Sequence, residues 1–460
     1  LEMKQQIGDE AGEADTLHKL AAIDMERGEY GEARKKFEKA LEINQQIGDR
    51  EGEAATLHQL ASIDLNRSEY KTARKKFETV LEMRQQIGDR EGEAATLHNL
   101  ASIDVYQGDY ETARKKFETV LEMRQQIGDR EGEAATLHNL ASIEVYRGEY
   151  EAAHNEFKKA LEINQQIGNK AGMASSLHNL ASIDLKRGEY EVARNMFETV
   201  LEIKQQIGDR TGVAATLHNL ATIDLNQGEY EEAKNKSEKA LEMRQRIGDR
   251  AGVASNLHQL ASIDLSRGRD KAAQNKLKTA LEINQQIGDR AGMAETLHNL
   301  ASIDLNQGEY EEAQNKFETA LEIKQQIGDK AGVAVALHQL ASIDLNQGEY
   351  EEARNKFEKA LEINQQIDDR VGVAATFAQI GIMAAKEGRA EEGLRLITLC
   401  SMILKEIGHV DIDWVEAWIS GLALELEYSP EQFNAMRRDV QESYRRDRGQ
   451  SLIDAAFGDA

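Results

Sequence analysis

A histidine returns every 40 residues, at His18, His58, His98, His138, His178, His218, His258, His298 and His338, without one insertion. The same string surrounds it: LHNLASID begins at Leu97, Leu177 and Leu297, and LHNLASIE at Leu137. A fixed period of this length marks an array of stacked units, none of which can bury its apolar face alone. Nine units keep this frame, and a tenth, from about Val371 to Ile407, keeps the small-residue positions but loses the consensus.

Each unit reads as two helices. In the third, Ala94, Leu97, Leu100, Ala101 and Ile103 lie at helical spacing. Gly108 stops that helix, and Tyr110, Ala113, Phe117, Val120, Leu121 and Ile127 share one face of the next. Gly128 suits a left-handed C-terminal cap, and Asp129 stands where the following helix needs an N-cap. Joints this short make the two helices antiparallel. Composition agrees. One proline, Pro430, stands against 35 glycines, so glycine is the punctuation of a nearly all-helical chain. Aromatics at 5% are too few for one large globular core.

These residues resemble the tetratricopeptide repeat family. The matching positions are Leu97, Leu100, Ala101, Gly108, Tyr110, Ala113 and Phe117, with Val120, Ala160 or Ala320 at the later small position. The resemblance spans about Ala14 to Ile407. Two features depart from the family: the inter-repeat proline is missing, and the period is 40 rather than 34. The long period and its I-G-D-(R/K) joint are similar to Pins-type adaptors and, more loosely, to kinesin light chain. The resemblance implies an all-α, right-handed superhelical solenoid of antiparallel helix pairs, about ten repeats long with a C-terminal capping pair. The expected layout is the end of a preceding repeat helix at 1–9, nine repeats at 10–370, a divergent tenth at 371–408 and capping helices at 409–460. Residues 1–8 match 41–48, so upstream sequence is expected. The capping region leaves the repeat pattern and holds both tryptophans, Trp414 and Trp418.

Composition also narrows the partners. A net charge of −25 argues against nucleic acid and against anionic membrane surfaces. No apolar run is long enough to span a bilayer, and no signal peptide is visible, so a cytoplasmic protein is expected. The single cysteine, Cys400, excludes a disulfide framework and sits at the small-residue position of unit ten, which predicts a buried structural thiol. No nucleotide, metalloprotease or hydrolase motif occurs, and neither catalysis nor a cofactor is expected.

On a helical wheel the outward arc of each first helix carries few charges, although charged residues make up 30% of the chain. In relatives this arc lines the concave groove. The matching residues here, and so the candidate partner-binding set, are His58, His98, Asn99, Ser102, Tyr106, His138, Asn139, Tyr146, His178, Asn179, His218, Asn219, His258, His298 and Asn299. Each asparagine offers a donor and an acceptor to a partner's backbone. The expected function is therefore a non-catalytic scaffold that holds an extended peptide or helix of a partner protein. The alternative is a sensor or regulatory arm whose enzymatic domain lies upstream, and self-association through the terminal faces is a further possibility. Packed helices lie 8–10 Å apart, too far for successive histidines to share a zinc ion, so no metal is expected. Charging of the nine histidines between about pH 7 and 5 is expected to alter partner affinity.

Two further patterns carry expectations. A carboxylate (Asp24, Asp64, Asp104, Glu144, Asp184, Asp224, Asp264, Asp304, Asp344) falls inside the apolar arc, where it requires a partner or a path to solvent. The candidate partners are the Arg34, Arg74, Arg114, Arg194, Lys234, Arg354 set or the Arg84, Arg124, Lys204, Arg244, Lys324 set. In units six and seven Ser237 and Leu277 replace phenylalanine and Asp270 replaces tyrosine, which predicts the weakest joint at residues 235–280. His409, Asp411 and Asp413 form a polar cluster, read as a helix-capping turn.

Overall fold

The computed structural model describes Lys4, residues 8–408 and residues 412–457, except the side chains of 413 and 414. The segment 1–3 and 5–7, the His409–Asp411–Asp413 cluster and the Trp414 side chain lie outside the described residues. Among the described residues there are twenty-three helices and no strand. Nine pairs run from α1 (Glu10–Glu26) and α2 (Tyr30–Ile47) to α17 (Lys330–Gln347) and α18 (Tyr350–Gln366). A tenth pair is α19 (Arg370–Lys386) and α20 (Ala390–Glu406), followed by α21 (Ile412–Glu425), α22 (Pro430–Asp447) and α23 (Gln450–Phe457).

The joint between units is built from three local preferences. After α6 (Tyr110–Ile127), Gly128 takes φ 75°, a conformation that only a residue without Cβ adopts freely. Asp129 then caps α7 (Arg130–Tyr146), its side chain accepting from the Gly132 backbone N–H at 2.8 Å. A Cβ on Gly132 would stand 1.9 Å from the Asp129 carboxylate and 2.7 Å from the Arg124 side chain. The I-G-D-R-x-G string therefore makes a turn, a cap and a space for the arginine that reaches over it.

The chain forms two compact units, residues 1–223 and 224–460. In the first, every second helix lays its phenylalanine against the following hairpin. Phe37 packs on Ala21, Ala33, Leu60 and Ile63, and Phe117 on Ala101, Ala113, Leu140 and Ile143. Both rings are essentially fully buried. Burial of a ring this size contributes about 1.5–3 kcal/mol, so each joint is closed mainly by one side chain.

In the second unit Leu277 takes the ring's place against Leu300 and Ile303. Ser237 does not: its hydroxyl donates to Gln259 Oε1 at 2.6 Å, and the Asn256 side chain donates to the Ser237 carbonyl at 3.3 Å. The apolar cluster left there is Ala233, Leu260 and Ile263. The largest core lies at the C-terminal end, where Leu394, Leu396, Ile397 and Leu399 of α20 meet Val415, Met436, Val440, Leu452 and Ile453 of α21–α23. Cys400 is buried within it, and burial pushes its thiol up to about 12.

Candidate functional site

The candidate residues lie on the first helices. In the first unit they form a hydrogen-bonded ladder from one hairpin to the next. Asn99 of α5 (Arg90–Tyr106) donates through Nδ2 to Nε2 of His58, 3.1 Å away on α3 (Arg50–Asn66). Asn139 does the same to His98 at 3.1 Å, Asn179 to His138 at 3.3 Å and Asn219 to His178 at 3.3 Å. In the second unit Asn299 donates to His258, which also stands 3.8 Å from Glu295. An imidazole that accepts at Nε2 is neutral, with its proton on Nδ1.

Each of these histidines and asparagines, His218 and His298 included, is half-buried. The rings of His58, His98, His138, His178 and His298 stand edge-on to the phenylalanine of their own hairpin, with centroids 5.1–5.3 Å apart. The rows therefore join neighbouring hairpins while keeping one side open to solvent. Ser102 donates to the His98 carbonyl at 3.0 Å, within its own helix. Tyr106 and Tyr146 are the exposed members, stacked at 5.5 Å on Tyr70 and Tyr110 respectively.

Burial changes the expected titration. It lowers His58, His98 and His298 from 6.5 to about 4, and nearby Arg84, Arg124 and Lys324 push the same way. His138, His178 and His338 are also lowered by burial. The expected charging between pH 7 and 5 is thus corrected for His58, His98 and His298: the phenylalanine-backed site desolvates the cation, and these three rings stay neutral in that window.

The position after the buried Ile or Met of each second helix sets how open the row is. Arg84 donates to the Gly92 carbonyl at 2.5 Å and to Thr96 at 3.1 Å, and Arg124 repeats this on Gly132 and Thr136. Where asparagine stands instead at 44 and 164, the space is open. A cavity of about 350 Å³ opens beside His18, Asn44 and Thr56, and one of about 240 Å³ beside His138, Asn139, Asn164 and Ser175. Sequence reasoning missed this role, although the signal was visible in the Asn–Arg–Arg–Asn alternation at 44, 84, 124 and 164.

Of the two basic sets offered for the buried carboxylates, only part of the first reaches them, since Lys234 and Arg354 pair with Glu238 and Glu358 of their own helices. Arg34, Arg74 and Arg114 reach Asp64, Asp104 and Glu144 of the following hairpin, at 2.5, 2.6 and 3.3 Å. Arg84, Arg124, Lys204 and Arg244 face the cap residues Asp89, Asp129, Asp209 and Asp249 instead. A third set went unrecognised: Lys36, Lys76, Lys116, Lys236, Lys276, Lys316 and Lys356 each pair with the carboxylate 12 positions earlier in their own hairpin. Among the described residues no three His, Cys, Asp or Glu side chains are placed to hold a metal ion. No described helix is long and apolar enough to cross a membrane.

A model of the tetratricopeptide repeat matches residues 12–86, 92–166, 133–206, 172–246, 212–286, 252–326, 292–366 and 332–396. No curated protein matches the sequence. Among solved structures, the apo form of the quorum sensor NprR from B. thuringiensis is 14% identical. The alignment covers 78% of this chain and 99% of that one, with a TM-score of 0.57. A signal transduction ATPase with numerous domains and a tetratricopeptide repeat sensor, from Pyrococcus horikoshii, is 17% identical. It is matched over 74% of this chain and 53% of that one, with a TM-score of 0.51. At these identities the likeness is one of fold.

Proposed function

Because this chain belongs to the tetratricopeptide repeat family, we propose that its first-helix row is the bed for an extended peptide or helix of a partner protein, held without catalysis. One observation carries the reading: the histidine–asparagine ladder is half-buried and electrically neutral, in a chain of net charge −25. Each asparagine spends its amide N–H on a histidine of the preceding hairpin and keeps Oδ1 as an acceptor for a partner's backbone N–H. That acceptor is held in place before the partner arrives, so little conformational entropy is lost on binding. The cavities at Asn44 and Asn164 are spaced along the row to take partner side chains, while Arg84 and Arg124 close the positions between them.

The reading as a sensor arm of a larger signalling protein uses the same row. It is favoured by the two similar structures, one a quorum sensor and one an ATPase with a repeat sensor. The two readings differ only in what the bound peptide controls.

The test is capture of partners by the intact chain and by a variant with Asn99, Asn139, Asn179 and Asn219 changed to alanine. Helicity of both is checked by circular dichroism. Loss of captured partners from a folded variant is the expected result, and unchanged capture would remove the row from the binding surface.

A further inference from the structure

The ion pairs under the second helices repeat until the fourth hairpin, and there they fail. Asp64 and Asp104 are each held by an arginine of the preceding hairpin and a lysine of their own. At Glu144 the arginine remains, with Arg114 Nη1 at 3.3 Å from Oε1, but the lysine position is Glu156. Glu144 is only 4% exposed; no donor meets its Oε2, and its hydrogen-bonding neighbour is another carboxyl, that of Glu149. Glu156 points its charge at the rim, where Lys159 meets it at 2.8 Å. A carboxylate removed from water is costly unless its charge is balanced, and where Glu144 has the arginine alone, seven sister hairpins supply a lysine of their own.

The vacancy is also a space. A cavity of about 390 Å³ lies between α6 and α8 (Tyr150–Ile167), and α7 forms its floor. Glu144 and Glu156 supply negative charge, and Leu121, Leu137, Leu140 and Ile163 supply an apolar wall. This arc of α7 faces away from Asn139, so the cavity is separate from the first-helix row. A charged end beside a greasy wall fits a cation carried on a flexible alkyl stem, as a lysine presents it.

We propose that this cavity binds an alkylammonium group, the lysine side chain of a partner protein, which stands in for the lysine that the fourth hairpin lacks. The ammonium sits between Glu144 Oε2 and Glu156, and its methylenes lie on Leu137, Leu140 and Ile163. The site does not depend on the first-helix row and is read out separately from it.

A proton is the competing occupant. Glu144 is raised by burial and by the adjoining Glu149, while Arg114 and Arg147 oppose the rise. The other charges lining the cavity are Glu118 on α6, paired with Arg114, Arg130 and Glu133 on α7, paired with each other, and Glu156, Lys159 and Glu162 on α8, so carboxylates outnumber cations there. An ammonium therefore competes with a proton for the site, and binding strengthens as pH rises.

Isothermal titration tests this on the full chain. The probes are a Gly-Ser peptide carrying one lysine, the same peptide with norleucine, and free putrescine. The wild type is expected to take up one lysine peptide per chain, with proton release between buffers of different ionisation enthalpy and no binding of the norleucine peptide. Glu156→Lys restores the sister arrangement and is expected to weaken that binding at least tenfold while raising the melting temperature. Glu144→Gln is expected to weaken it similarly. Putrescine binding that Glu156→Lys abolishes also supports the site and identifies a free polyamine as a second source of the cation. Probe binding that is absent, or equal in wild type and Glu156→Lys, overturns the proposal, whatever happens to partner capture by the asparagine row.

Discussion

Phe117 and Ser237 hold the same place in their hairpins and close their joints by opposite means. Phe117 fills its site with a ring against Leu140 and Ile143. Ser237 fills it with hydrogen bonds to Gln259 and Asn256, and Asn256 Oδ1 is left buried without a partner. Hydrogen bonds exchanged against water return about 1 kcal/mol net, and a buried orphan acceptor subtracts from that. In a stack whose units touch only their neighbours, such a difference stays local. The lesson is that a near-identical repeat does not imply uniform stability.

The comparison can be broken by swapping the two joints. Phe117→Ser should cost about 3–5 kcal/mol, since it removes a buried ring without importing the Gln259 and Asn256 amides. Amide hydrogen exchange should then show α6 and α7 opening together. The reverse repair, Ser237→Phe with Asn256→Thr and Gln259→Asn, should gain about 2 kcal/mol and bring exchange protection at residues 235–280 up to that of the third hairpin. If protection at 235–280 in the wild type already equals that at 113–143, the contrast drawn here is wrong.

Acid sharpens it from another side. His58, His98 and His298 are held near 4 in the folded chain, below their ordinary 6.5. The unfolded chain takes up protons that the folded one refuses. The stability this confers is complete above pH 6.5 and is lost as pH falls toward 4, at roughly 1 kcal/mol per joint per pH unit. Thermal melts between pH 7 and 4.5 should fall steadily, and His98→Gln should flatten the slope. The smallest effect is at Ser68, which takes φ 60° where sister turns carry glycine. Ser68→Gly should stabilise by about 0.5 kcal/mol, visible as a small rise in melting temperature.

The period of 40 made the hairpins, the phenylalanine joints and the capping aspartates legible in the sequence, because each depends on spacing within one helix or across one turn. The partners of Asp104 were half legible. Arg74 was among the residues named for it, but Lys116 was not, since it lies 12 positions on, beyond a turn that no wheel represents. The outward arc was read from a wheel of the first helices. Its half-burial was hidden because a wheel treats one helix alone, whereas Asn99 and His58 meet across two hairpins. The neutral state of the histidines followed from that same packing and from the ring of Phe77 beside His58.

The bridges also fix what lengths this molecule tolerates. Arg74 relates to Asp104 as Arg114 does to Glu144, and Phe77 to Leu100 as Phe117 does to Leu140. Excising residues 90–129 in one piece would bring Arg74 to Glu144 and Phe77 to Leu140, healing the cut with matched surfaces. A deletion that is not a multiple of 40 residues would not. Unequal recombination within such a gene can therefore shorten or extend the protein one hairpin at a time without inventing a new interface.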